Sequence, residues 1–223
     1  MPVTLITGTS TGIGKVTALH LARQGHHVFA SMRNPATGLS TLEQAADQEG
    51  LKLDVIRLDV SDPDSSEKAV REVLEQAGQL DVLINNAGIL GGGAIEEAPE
   101  EILRAVFETN FFGAMRMMRL VFPTMRQARS GTIVNVTSIA GRLALAGSTA
   151  YRTSKFALEA ASKALAQEVR PFNIRVAIIE PGLVQTQIFG KRGPQPDPDF
   201  SLPRHRSEKR SRVWQAVGEC FSA

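Results

Sequence analysis

The 223-residue chain reads as an α/β domain, a doubly wound parallel sheet of about six strands flanked by helices. Three observations predict it. Short apolar runs alternate with helix-period segments from one end to the other, the pattern of βαβ units. A glycine-rich turn, Thr7-Gly8-Thr9-Ser10-Thr11-Gly12-Ile13-Gly14, joins the first run to the first helical segment. A hydrophobic content of 43% and a net charge of +2 suit a chain that buries one core unaided.

Strands are expected over 3–7, 27–32, 52–58, 80–85, 132–137 and 174–180, each an apolar run bounded by turn-forming residues. Helices are expected over 13–24, 39–48, 63–77, 99–125 and 149–170. The third opens on Asp62-Pro63, a capping carboxylate followed by proline at the first helical position. The chain divides into a dinucleotide-binding and catalytic unit, 1–190, and a lid loop with a short basic segment, 191–223, within one domain. Gly91-Gly92-Gly93 reads as a turn.

Several function classes drop out on composition. A single cysteine, Cys220, excludes a disulfide scaffold or a cysteine-based zinc cluster and fits a reducing, cytoplasmic setting. The opening residues lack a basic region followed by an apolar run, so no signal peptide is expected. The most apolar stretch, 106–125, carries Glu108, Asn110, Arg116 and Arg119, too polar for a membrane span. His20, His26 and His27 have no carboxylate or cysteine at metal-ligand spacing and read as structural or exposed, so no metal is expected. Asp54 reads as a solvent-facing or edge position of its strand. Lys191 to Arg212 carries seven basic and three acidic residues. Without interleaved aromatics this is a solvated tail and not a nucleic-acid footprint. Trp214 and Cys220, in the same tail, suggest no mechanism. Met115, Met117 and Met118 read as core or helix-packing residues.

The glycine turn is the first candidate site. A helix N-terminus offers free N–H groups and the positive end of its dipole to a pyrophosphate, and Gly8, Gly12 and Gly14 lie where the backbone must turn and approach it. Ser10, Thr11 and Ile13 complete the cradle. The spacing is GxxxGxG. About 20 residues on, where an NAD enzyme places an acid on the ribose, the second strand ends in Ser31-Met32-Arg33. Arg33 offers a charged fork to a 2′-phosphate, so NADP is preferred to NAD. Asp59, with Val60 beside it, either accepts from an adenine amino group or caps the following turn.

The second candidate is Tyr151, the one tyrosine of the chain, with Lys155 one helical turn on. An ammonium there favours the phenolate and draws the phenol toward the working range of an acid–base catalyst.

Together, TGTSTGIG, Asn85-Asn86-Ala87-Gly88, Asn110, Ser138, Tyr151/Lys155 and Pro181-Gly182 stand in the order and spacing of one family. Over residues 3 to 190 the chain resembles the short-chain dehydrogenases/reductases, in their common YxxxK oxidoreductase branch, and the resemblance implies a Rossmann-type fold. It also implies roles. Tyr151 exchanges the proton with the substrate oxygen, and Ser138 hydrogen-bonds that oxygen. Lys155 lowers the Tyr151 pKa and holds the nicotinamide ribose, while Asn110 holds a water that relays protons from Lys155. Asn86, Ala87 and Gly88 lie by the adenosine ribose; Pro181, Gly182, Val184 and Thr186 lie by the nicotinamide amide.

Family members generally continue with a further helix and a seventh strand, which this chain is expected to lack. Lys191 to Pro203 takes the lid position and Ser207 to Phe221 is expected to form a short helix. The function implied is an NADP-dependent oxidoreductase acting on a secondary alcohol or ketone, with an apolar steroid- or retinol-like carbonyl compound favoured. The alternative is a non-catalytic dinucleotide-binding sensor or truncated relative. A homodimer through the two long helices is expected, without the family's tetramer.

Overall fold

The computed structural model describes residues 1–91, 93, 95, 98–184, 186 and 188, and the side chains of all of these except 36–41. β1 (Val3–Thr7) and β2 (His27–Met32) are buried at every position, as strands covered on both faces must be. β3 (Leu53–Arg57), β4 (Val82–Asn85), β5 (Gly131–Val136) and β6 (Ile174–Ile179) complete one parallel sheet of order β3-β2-β1-β4-β5-β6. Strand order reverses between β1 and β4, and it is outside the carboxyl ends at such a switch point that α/β sheets bind ligands.

Helices α1 (Gly12–Arg23) and α2 (Pro35–Glu49) follow β1 and β2. On their face of the sheet Ala18 and Ala22 pack with Ile6, Val28, Ala30 and Ile84. α3 (Pro63–Ala77), α5 (Gly113–Ala128) and α6 (Thr149–Glu168) cover the other face, where Val73, Met117, Met118, Val121 and Leu158 close over Leu5, Phe29, Leu83 and Ile133. The expected packing role of Met117 and Met118 is therefore observed; Met115 is partly buried against the same core. On β6, Arg175, Ala177 and Ile179 are exposed, in register with Thr132, Val134 and Val136 of β5.

Three expected boundaries are corrected. The helix expected over 99–125 is α4 (Glu100–Phe107), a π-helical turn (Glu108–Phe112) and α5, which carries Pro123 inside it and ends at Ala128. The helix expected over 39–48 starts earlier, at Pro35. The last helix stops at Glu168, and a 3-10 turn (Arg170–Phe172) holding Pro171 leads into β6. Proline cannot donate to a continuing helix.

His27 also acquires a partner that spacing did not show. β2 and β3 bring its Nε2 to 2.5 Å from Asp54 Oδ2, which sits half-exposed on the edge strand β3. Among the described residues no three His, Cys, Asp or Glu side chains group as a metal site, and no helix is long and apolar enough to cross a membrane. The lid at Lys191 to Pro203, the helix at Ser207 to Phe221, Gly92, Trp214 and Cys220 lie outside the described residues.

Candidate active site

β1 delivers the chain into Gly8 with φ of 73° and Gly12 with φ of 62°, left-handed conformations that glycine adopts without strain. A Cβ on Gly8 would stand 2.8 Å from Ala87 Cα, so this turn lies directly against the end of β4. Gly14 faces inward: its Cβ would stand 2.4 Å from Asn86 Nδ2 and 2.5 Å from the Gly8 carbonyl oxygen. It serves the close packing of α1 on the turn. The first turn of α1 carries no acidic residue, leaving its N–H groups and dipole open to an anion.

These groups open on a cleft at the carboxyl edge of the sheet. Gly8, Ser10, Thr11, Gly12 and Ile13 form its floor, and Asn86, Ala87 and Gly88 one wall. Arg33 and the Asp59-Val60 pair form the far side. Thr186 closes the cleft across from Gly12, whose Cβ would stand 3.4 Å from the Thr186 Cβ. Asp59 caps the following turn, its Oδ1 accepting from Ser61 N at 3.0 Å and Ser61 Oγ at 2.6 Å, and it also lines the cleft. Met32, Asn34, Leu58, Ile89, Thr109 and Ile188 also line it. Sequence reasoning passed over them, although all but Ile188 adjoin motif residues it had singled out. Gly14, Pro181, Gly182 and Val184 do not line the cleft, and Gly182 and Val184 are exposed.

Asparagine amides lock the carboxyl ends of the strands together. Asn86 Nδ2 donates to the carbonyls of Thr7 at 2.9 Å and Gly8 at 3.0 Å, and Asn85 Nδ2 donates to Asn135 Oδ1 at 2.9 Å. Thr7 Oγ1 accepts from both Asn86 N and Ala87 N. The glycine turn is thereby held against β4 with the Thr7 and Gly8 carbonyls satisfied.

Asn110 lies in the π-helical turn and is 1% exposed. Its Oδ1 accepts from Ile89 N at 2.9 Å, and its Nδ2 donates to Ile89 O at 3.0 Å and Ser154 Oγ at 3.1 Å. One amide thus ties the loop after β4 to α6. The wide turn swings it inward, the usual use of a π-bulge at a functional site. Gly88 leaves the room: a Cβ there would stand 3.3 Å from Asn110 Oδ1 and 3.7 Å from Lys155 Nζ.

Ser138 follows β5 and caps a 3-10 turn (Ile139–Gly141), its Oγ accepting from Ala140 N at 3.1 Å and donating to Pro181 O at 3.4 Å. Ser138 also acts on the phenol of Tyr151 on α6, favouring its charged form. Lys155 is 4% exposed and donates from Nζ to Val136 O at 2.9 Å, with Nζ 5.8 Å from the centre of the Tyr151 ring.

The electrostatics depart from what the i,i+4 spacing led us to expect. Burial pushes the Tyr151 phenol above its ordinary value, against the opposing pull of the Ser138 hydrogen bond and the Arg152 charge. Burial also lowers the Lys155 ammonium, to about 8. Desolvation outweighs the pairing because both groups are carried into the protein, where each charged form loses its water.

A parallel α/β sheet with a glycine turn, an open helix N-terminus and a cleft at the strand switch point defines a Rossmann-type domain. The chain belongs to the short chain dehydrogenase family, whose model matches residues 2–197. It is 42% identical over 190 residues to the 3-ketodihydrosphingosine reductase of Bacteroides thetaiotaomicron, covering 85% of this chain and 66% of that one. To retinol dehydrogenase 8 of Bos taurus it is 40% identical over 191 residues, covering 84% and 60%. The chain therefore spans somewhat under two thirds of the length of these curated relatives. A crystal structure of an actinorhodin polyketide ketoreductase with NADPH superposes with a TM-score of 0.80 at 35% identity, covering 83% of this chain and 71% of that one.

Proposed function

We propose that the chain is an NADP-dependent oxidoreductase that reduces a ketone, or oxidises the corresponding secondary alcohol, with apolar substrates favoured. The observation that carries this reading is the convergence of Ser138, Tyr151 and Lys155 beside the cleft floored by the glycine turn. Gly88 lines that cleft and stands next to both Lys155 and Asn110, so the two sites are one. The residues fit a dinucleotide: Gly8 and Gly12 line the cleft without side chains, at the N-terminus of α1, and a charged fork, Arg33, stands at the far side.

When bound, the nicotinamide supplies the hydride; the protein places the partners and moves the proton. A phenol is protonated at neutral pH, and burial of Tyr151 favours that neutral form further, the form needed to protonate a substrate oxygen. The Ser138 hydroxyl, which acts on that phenol, positions the same oxygen. Lys155 would hold the ribose hydroxyls, and Asn110 would hold the water that relays protons from Lys155. Thr186, which lines the cleft, would hold the nicotinamide amide, with Pro181, Gly182 and Val184 on the segment that leads to it.

Exposed Ile139, Leu143 and Leu145 follow Ser138, and exposed Leu183 and Val184 follow Pro181; these apolar side chains suit an apolar substrate. Names of two relatives, 3-ketodihydrosphingosine reductase and retinol dehydrogenase, point the same way, and the ketoreductase with NADPH supports the cofactor choice. Exposed Phe112 beside α5 and Phe156 on α6 support a homodimer through those helices.

The test is titration with NADPH and NADH, followed by turnover on a panel of apolar ketones and alcohols. Tyr151→Phe is expected to abolish turnover and leave NADPH affinity within about threefold, because only the proton-transfer group is lost. Wild-type turnover in that variant would refute the mechanism, and NADPH binding without any turnover would favour a dinucleotide sensor.

A further inference from the structure

One buried acid has no part in that mechanism. Glu159 lies one turn beyond Lys155 on α6 and is 3% exposed. Its Oε1 accepts a hydrogen bond from Thr137 Oγ1 at 2.5 Å. Its Oε2 is buried without a hydrogen bond, with the Lys163 ammonium at 3.3 Å. Carrying a carboxylate inside a fold costs several kcal/mol unless something compensates. A leucine or alanine would fill the same helix face more cheaply.

The place that this carboxylate grips is the residue before Ser138. Thr137 is buried, its N–H donates to Ile179 O at 2.8 Å, and its hydroxyl lies 2.5 Å from Glu159 Oε1, nearer than its other acceptor, Ile179 O, at 3.2 Å. A second contact clamps the far end of the same turn: a Cβ on Gly141 would stand 3.0 Å from Glu159 Cγ and 3.1 Å from the Lys155 carbonyl oxygen. The segment from Thr137 to Gly141 is thus seated on α6 at both ends by one side chain. Ser138 lies between them, and Tyr151 and Lys155 stand two and one helical turns before Glu159 on the same helix.

We propose that Glu159 is a positioning residue: through Thr137 it sets the turn that presents the Ser138 hydroxyl to Tyr151. This rests on the reading of Ser138 and Tyr151 as the proton-transfer pair. Glu159 acts by geometry, its two carboxylate oxygens meeting Thr137 and Lys163.

The chain has one tyrosine, so near-ultraviolet phenolate absorbance reports Tyr151 alone and needs no substrate. The hydrogen bond from Ser138 pulls its titration down, so a displaced Ser138 lets it rise. Thr137→Val keeps the strand-compatible shape and removes the hydroxyl. It is expected to raise the Tyr151 titration midpoint and cut kcat roughly tenfold, the worth of one well-placed hydrogen bond, with NADPH affinity held. Glu159→Leu should do the same, and the double variant should be no worse than either single one. Glu159→Gln, which still offers Thr137 an acceptor oxygen, should restore most of both readouts.

The sign separates geometry from charge. Removing a nearby anion lowers a phenol's pKa, so a fall in the midpoint in Glu159→Leu would overturn the positioning role. An unmoved midpoint and unchanged kcat in Thr137→Val would overturn it as well. Absence of Tyr151-dependent turnover in the wild-type protein would instead overturn the oxidoreductase reading, and the positioning of Ser138 for catalysis with it.

Discussion

Lys155→Met tests the burial of the catalytic-site ammonium directly. In the folded chain that ammonium is lowered from its ordinary 10.5 to about 8 by desolvation. Between those two pH values the unfolded chain holds a proton that the folded chain has lost, so folding stability rises as pH climbs through the window. Below it both states are protonated and the cost of burying the charge is felt in full. The interval from 10.5 to about 8, at about 1.4 kcal/mol per pH unit, corresponds to about 3 kcal/mol. Methionine has a similar length and no charge, so the variant lacks this dependence. It also loses the hydrogen bond to Val136 O, which adds a constant offset of about 1 kcal/mol. The assay is urea unfolding of both proteins across the window, read as wild type minus variant, a difference in which the other titrating groups cancel. The expected result is a difference that grows in favour of wild type by about 3 kcal/mol as pH rises. A flat difference would show that Lys155 is solvated in the folded protein, and a shrinking one would reverse the sign of its shift.

Arg33→Ala should weaken NADPH by roughly tenfold or more and NADH by far less, since a charge-assisted contact to a 2′-phosphate is lost; equal losses in paired titrations would remove the phosphate assignment. Gly14→Ala forces a methyl group to within 2.4 Å of Asn86 Nδ2 and 2.5 Å of the Gly8 carbonyl oxygen. It should lower stability by about 1–3 kcal/mol and weaken both cofactors together, which thermal melting and the same titrations would read. An unchanged melt would mean that α1 can shift at no cost.

Where local signals were strong, the residue pattern and the structure agree closely. β1, β2 and α3 have the expected bounds. Asp62 Oδ1 accepts from Asp64 N at 3.0 Å and Ser65 N at 3.3 Å, Pro63 opens α3, and Gly78 closes it with φ of 71°. Each of these signals acts within four residues, so each is legible along the chain. The π-helical turn was not legible in this way. It depends on Asn110 meeting Ile89, 21 residues earlier, and Ser154, 44 residues later. The same holds for His27 and Asp54, brought together only by the register of β2 against β3.

By itself the amino-acid order determined the alternation of strand and helix, the glycine turn at the first helix and the placing of Tyr151 and Lys155 on one helical face. All follow from steric and hydrogen-bonding preferences expressed over a few neighbouring residues. Tertiary structure alone decided the charge state of the site and what holds it. It drew Lys155 down, it raised Tyr151 where spacing suggested the reverse, and it seated Thr137 and Gly141 on a buried Glu159. Desolvation and long-range hydrogen bonds depend on what the whole fold places around a group, and that surrounding exists only once the sheet and helices have closed.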